Sequence, residues 1–101
     1  MRQPVTYIMA SQPRGTLYIG VTSNLAQRLQ QHRNDLIQGF TSRYGVHRLV
    51  LAENQATMPI AIAREKQPKN WHRDWKINLI EASNPHWIDL AEAWNLAPPL
   101  K

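Results

Sequence analysis

The 101-residue chain contains no cysteine, so neither a disulfide framework nor a thiolate metal site is open to it. No apolar run approaches the ~20 residues that a membrane helix needs. The first residues, Met1-Arg2-Gln3-Pro4, lack the apolar segment of a signal peptide. The expectation is therefore a cytoplasmic protein with no membrane partner. Acidic residues are few, seven against twelve lysines and arginines, which leaves a formal charge of +5 and a pI near 10.1. An anionic partner fits that balance, with nucleic acid the leading candidate. Glycine is also scarce, at four residues, so each one marks a place where the chain turns or packs closely.

What is present suffices for one small core. The apolar fraction is 43%, and no repeat, low-complexity tract or internal boundary interrupts the chain. One domain is expected over residues 1–94, with a loose tail at 95–101. Val5 to Ala10 is apolar and β-friendly and predicts a first strand. Ser11-Gln12-Pro13-Arg14-Gly15 is a turn, and Thr16 to Val21 predicts a second strand paired with the first as a hairpin. Alternation places Leu17, Ile19 and Val21 on one face and Thr16, Tyr18 and Gly20 on the other, with Tyr18 away from the more apolar side. Gly20 is expected to leave bare backbone that a ligand could approach.

Thr22-Ser23-Asn24 offers three N-caps for a helix that runs to about Ile37. Leu25, Leu29 and Leu36 form its apolar stripe, with His32 between them and Arg28 one turn before His32. A polar loop follows from Phe40 to His47, and a third strand over Arg48 to Glu53. Thr57 or a neighbour caps a second helix, with Pro59 in its first turn. Pro68 is expected to end that helix. A third is expected from Trp71 to Ala82, with Trp71, Trp75, Leu79 and Ala82 on its buried face. Trp87 to Trp94 predicts a last short helical turn.

These elements carry a phenol on each hairpin strand (Tyr7 and Tyr18), a guanidinium and an imidazole on one helix (Arg28 and His32), and a carboxylate, Glu65, inside a basic run. On a small basic domain these are the parts of a metal-dependent phosphodiesterase site. In that order and spacing, the chain resembles the GIY-YIG nuclease superfamily. It is most similar to small stand-alone members related to the N-terminal nuclease domain of the excinuclease C subunit. Val5-Thr6-Tyr7 stands at the first motif, keeping only its tyrosine, and Tyr18-Ile19-Gly20 is a literal second motif. Phe40-Thr41-Ser42-Arg43-Tyr44 with Leu49-Val50, then Arg64-Glu65-Lys66-Gln67 with Lys69, Trp71 and Arg73, are further marks of the subgroup. Asn84-Pro85, Trp87 and Asp89-Leu90 close the resemblance. Pro68 replaces an aliphatic residue of the pattern, and the late asparagine of the superfamily has two candidates, Asn78 and Asn84.

The resemblance implies an α/β (α+β) domain, a small, mainly antiparallel three-stranded sheet flanked by helices in the order β-β-α-β-α-α. It implies metal-dependent endonuclease cleavage of DNA at branched or damaged structures. Tyr18 would help deprotonate or position the attacking water, aided by a nearby cation because a phenol's ordinary pKa is near 10. Arg28 would bind a phosphate oxygen, Tyr7 would orient water or phosphate, and His32 would donate to phosphate or shuttle a proton. Glu65 would hold one Mg²⁺ or Mn²⁺ ion. Arg43, Lys66, Lys69 and Arg73 are the candidates for contact with the DNA backbone. Trp71 and Trp75 are read as core residues, with base stacking as the alternative. The rival functions are a nucleic-acid-binding protein with weak or no catalysis, in which a protein partner supplies specificity, and a core-only interaction module.

Overall fold

The computed structural model describes residues 3–33 and 43–96. Strands β1 (Val5–Ala10), β2 (Leu17–Thr22) and β3 (Arg48–Asn54) form one antiparallel sheet in the order β2-β1-β3. Helices α1 (Leu25–Arg33), α2 (Met58–Lys69), α3 (Arg73–Ser83) and the short α4 (Leu90–Ala93) surround it. This is the expected α+β architecture in the expected order. The expected continuation of α1 to Ile37, the Phe40-Thr41-Ser42 segment and the tail beyond Leu96 lie outside the described residues.

All six residues of β1 are buried, because the strand is central and both sheet faces are covered. On one face Val5, Tyr7 and Met9 pack with Leu29 of α1, Val46, Leu49 and Ala91 of α4. On the other, Ile8 and Ala10 pack with Ile19, Val50, Leu51, Ile80 of α3 and Trp87. The hairpin pairs Tyr7 with Gly20 and Met9 with Tyr18. Asn24 Oδ1 accepts from Gln27 N at 3.2 Å, and Thr57 Oγ1 from Ile60 N at 3.3 Å, so both anticipated caps are used. Thr6 Oγ1 donates to Ala61 O at 2.9 Å and seats α2 on the sheet.

Pro68 does not stop α2, which runs on to Lys69 with Pro68 buried. Proline deletes one helical hydrogen bond, and so near the end the loss is small. The Asn70 side chain returns one by donating to Lys66 O at 3.1 Å.

Helix α3 differs from expectation in start and rotation. It begins at Arg73, leaving Trp71 outside, and buries Ile80 with Ile77 and Leu79 partly covered. Trp75 is 58% exposed, and Ala82 is exposed as well. Arg73, Ile77, Ile80 and Glu81 share one helical stripe, and polar anchors at both ends set its rotation. Arg73 Nη2 donates to the carbonyls of Arg14 and Gly15, the latter at 2.6 Å. Glu81 receives the Arg14 guanidinium at 3.1 Å and Trp87 Nε1 at 2.7 Å. The β1–β2 turn is thereby clamped to α3.

Candidate active site

Tyr7 is the hub of the anticipated residues. Its position in the central strand leaves it 1% exposed, and its hydroxyl lies 3.0 Å from His32 Nε2. The rings of Tyr7 and Tyr18 are 6.2 Å apart between centroids, Tyr7 and His32 6.0 Å, and Tyr18 and His32 5.4 Å. Tyr18 stands on the same sheet face, half-buried, on the edge strand. Burial, then neighbouring Tyr18, push the Tyr7 phenol above the ordinary tyrosine range; the Arg28 charge acts the other way, and Glu65 adds to the rise. Both charges therefore act on the phenol from their own helices, α1 and α2. A phenol held in that range stays protonated at physiological pH.

Gly20 makes the tyrosine pair possible. A Cβ there would lie 2.7 Å from the Tyr7 hydroxyl and Cζ and 2.9 Å from Tyr18 Cε1. The bare backbone expected to admit a ligand is covered by these two rings. Gly20→Ala is expected to displace them and cost about 1–3 kcal/mol, checked by urea unfolding and the near-UV tyrosine signal.

His32 is 1% exposed. Burial first, then the charges of Arg28 and His47, bring its pKa down from 6.5 to about 4. The imidazole is therefore neutral at physiological pH. Because the folded value lies below the unfolded one, the unfolded chain binds the extra proton first. Stability is full above about pH 6.5 and falls as pH drops through about 4, by about 3 kcal/mol for this group. Urea unfolding between pH 7 and 4 is expected to show that loss in the native protein and a smaller one in His32→Gln.

Glu65 lies on α2 with its side chain 16% exposed, and Oε1 receives Lys69 Nζ at 3.0 Å. The carboxylate has already drawn one cation. Among the described residues no group of three or more His, Cys, Asp or Glu gathers to cage a metal. The donor set fits a hard ion held by one carboxylate and otherwise by water, the habit of Mg²⁺.

The candidate DNA-contact residues are scattered. Arg43 is exposed, with its guanidinium 5.8 Å from the Tyr44 ring centroid. Lys66 is exposed, Lys69 is paired with Glu65, and Arg73 is committed to the β1–β2 turn. Arg48 donates to Trp87 O at 3.1 Å and Arg64 pairs with Glu53 at 2.8 Å, so both serve the fold. Asn84 is buried: its side-chain amide donates to Val50 O and Ile88 O, and its oxygen accepts from Ile88 N, which makes it a structural bracket. Asn78 is exposed on α3. Lys76 belongs to the basic run Arg64 to Lys76, which the sequence offers as a phosphate-tracking surface without singling Lys76 out as a site residue. With Lys69, Leu17, Tyr18 and Ile19 it lines a cavity of about 240 Å³. Its place in a basic run was the only available signal.

The model of the GIY-YIG catalytic domain matches residues 3–78. No curated protein and no solved structure matches the chain. The matched stretch takes in most of the molecule, from the first strand into α3, and the chain belongs to the GIY-YIG family.

Proposed function

We propose that this protein is a divalent-metal-dependent endonuclease that hydrolyses DNA phosphodiester bonds. GIY-YIG domains are usually nucleases and typically use divalent metals, and a nuclease domain of this family implies a DNA substrate. The observation that carries the reading is the convergence on Tyr7. Tyr18 and His32 touch it, and the charges of Arg28 and Glu65 act on it.

In this reading Glu65 holds the ion, Mg²⁺ or Mn²⁺. The bound cation supplies charge neutralisation at phosphorus. Arg28 presents its fork to a non-bridging phosphate oxygen. Tyr18, the more open of the two tyrosines, positions the attacking water. Tyr7 remains a hydrogen-bond donor and orients water or phosphate. His32, neutral and buried, acts as a positioning residue that holds Tyr7 in place, because an imidazole with a pKa near 4 carries too few protons at pH 7 to act as an acid.

Few cations on the described surface are uncommitted, which supports branched or damaged DNA, recognised by shape, over tight binding of plain duplex. A protein partner that supplies specificity fits the same scarcity. No helix among the described residues is long and apolar enough to cross a membrane. A cytoplasmic setting is part of the proposal and rests on the cysteine-free composition.

The test is cleavage of plasmid, single-stranded and branched DNA with Mg²⁺ or Mn²⁺, beside Arg28→Ala and Tyr18→Phe. Each substitution is expected to lower turnover by about 10²-fold or more. Cleavage that survives both would place the activity elsewhere, and binding without cleavage in either metal would assign the chain to the binding class.

A further inference from the structure

Strand β2 is at the edge of the sheet, with β1 on one side and no strand among the described residues on the other. The 240 Å³ cavity is an open hollow along this strand, at Leu17, Tyr18 and Ile19, flanked by Lys69 from α2 and Lys76 from α3. It is far larger than one water needs. Among the described residues, both ionisable chains besides Tyr18 are ammoniums from separate helices, and no carboxylate lines it. Two point charges beside a polar strand edge suit a phosphate oxygen, and Tyr18 is common to this cavity and to the ring cluster around Tyr7. Lys69 is also shared, since its ammonium is the partner of Glu65.

We propose that this cavity is a second backbone-phosphate subsite, for the phosphodiester next to the one cleaved, and that Lys69 exchanges between Glu65 and that phosphate. The proposal rests on the reading of Glu65 as the cation ligand. In the protein alone, Lys69 neutralises Glu65. An i,i+4 pair with a half-exposed lysine is weak and readily exchanged. A divalent cation on Glu65 repels the ammonium, which turns to the cavity and joins Lys76 there. Cation and DNA then favour each other's binding, and the coupling is reciprocal.

Mn²⁺ binding without DNA, followed by electron paramagnetic resonance, tests the first half. Lys69→Met is expected to bind Mn²⁺ about 3–10-fold more tightly than the native protein, through loss of the competing ammonium. Lys76→Met, which leaves the Glu65 pair intact, is expected to stay within about twofold. DNA binding, read by anisotropy of a labelled oligonucleotide with Ca²⁺ as the hard cation, tests the second half. Ca²⁺ is expected to raise the native protein's affinity and to do so less in Lys69→Met. Lys76→Met should reduce the slope of log affinity against log salt by about one. Lys69→Arg should retain the DNA response. If Glu65→Gln abolishes Mn²⁺ binding while Lys69→Met changes neither Mn²⁺ affinity nor the Ca²⁺ response, the exchange is refuted and the nuclease reading stands. Mn²⁺ binding unchanged in Glu65→Gln would remove the reading beneath it, and the exchange with it. An unaltered salt slope in Lys76→Met would refute the subsite.

Discussion

Glu65→Gln is expected to lower DNA cleavage by about a thousandfold, while DNA affinity measured without divalent cation does not fall and thermal stability stays close to native. The separation follows from where the carboxylate sits. Its one described partner is Lys69, four residues on along the same helix, and such pairs contribute only ~0.3–0.5 kcal/mol. No buried group loses a partner when the charge is removed, so the fold has little to lose. DNA approaches a net positive surface, and the deletion of one negative charge does not weaken that attraction. On the proposed reading of Glu65 as the cation ligand, the loss is then confined to turnover. Single-turnover cleavage, filter binding and thermal melts on the same preparation check it. A parallel fall in affinity and melting temperature would mean that Glu65 is structural.

The second large effect concerns stability. Asp89→Ala is expected to cost about 3–5 kcal/mol, a large share of what a domain of this size has. Asp89 is 8% exposed, and its oxygens serve three elements at once. Oδ1 accepts from Leu49 N at the start of β3 and from Ala91 N in the first turn of α4, both at 3.2 Å. Oδ2 receives the guanidinium of Arg33 at the last position of α1, itself buried. Removal of the carboxylate takes the Asp89 oxygen from a buried positive charge and leaves the Leu49 and Ala91 amides without their acceptor. The cost should fall when the cation is removed too, so Arg33→Met combined with Asp89→Ala is expected to be more stable than Asp89→Ala alone. Urea unfolding of the single and double variants measures this. A single-variant cost below about 1 kcal/mol would show that water reaches the pair.

Much of the fold was legible because its signals are local. Alternating apolar residues, the Pro13–Gly15 turn and the Asn24 and Thr57 caps lie within a few residues of what they determine. The tyrosine pair was legible for a related reason, since hairpin register alone sets Tyr7 opposite Gly20 and beside Tyr18. What escaped was decided at long range. The rotation of α3, and with it the exposure of Trp75, depends on Arg73 and Glu81 meeting a turn about sixty residues earlier. Asp89 caps α4, but its tie to Arg33 spans 56 residues, and no spacing along the chain marks it. The cavity beside β2 needs residues from three elements, and no spacing along the chain announces it.

The central place of β1 also sets a hierarchy of opening. A strand paired on both sides and covered on both faces exchanges its amide hydrogens only when the whole molecule unfolds. Tyr7 is therefore anchored to the slowest-exchanging segment, whereas Tyr18 rides a strand with a single neighbour and Glu65 a helix seated from one side. Breathing motions that admit and release a polymer can be confined to those outer parts, and the hub phenol keeps its position through each cycle.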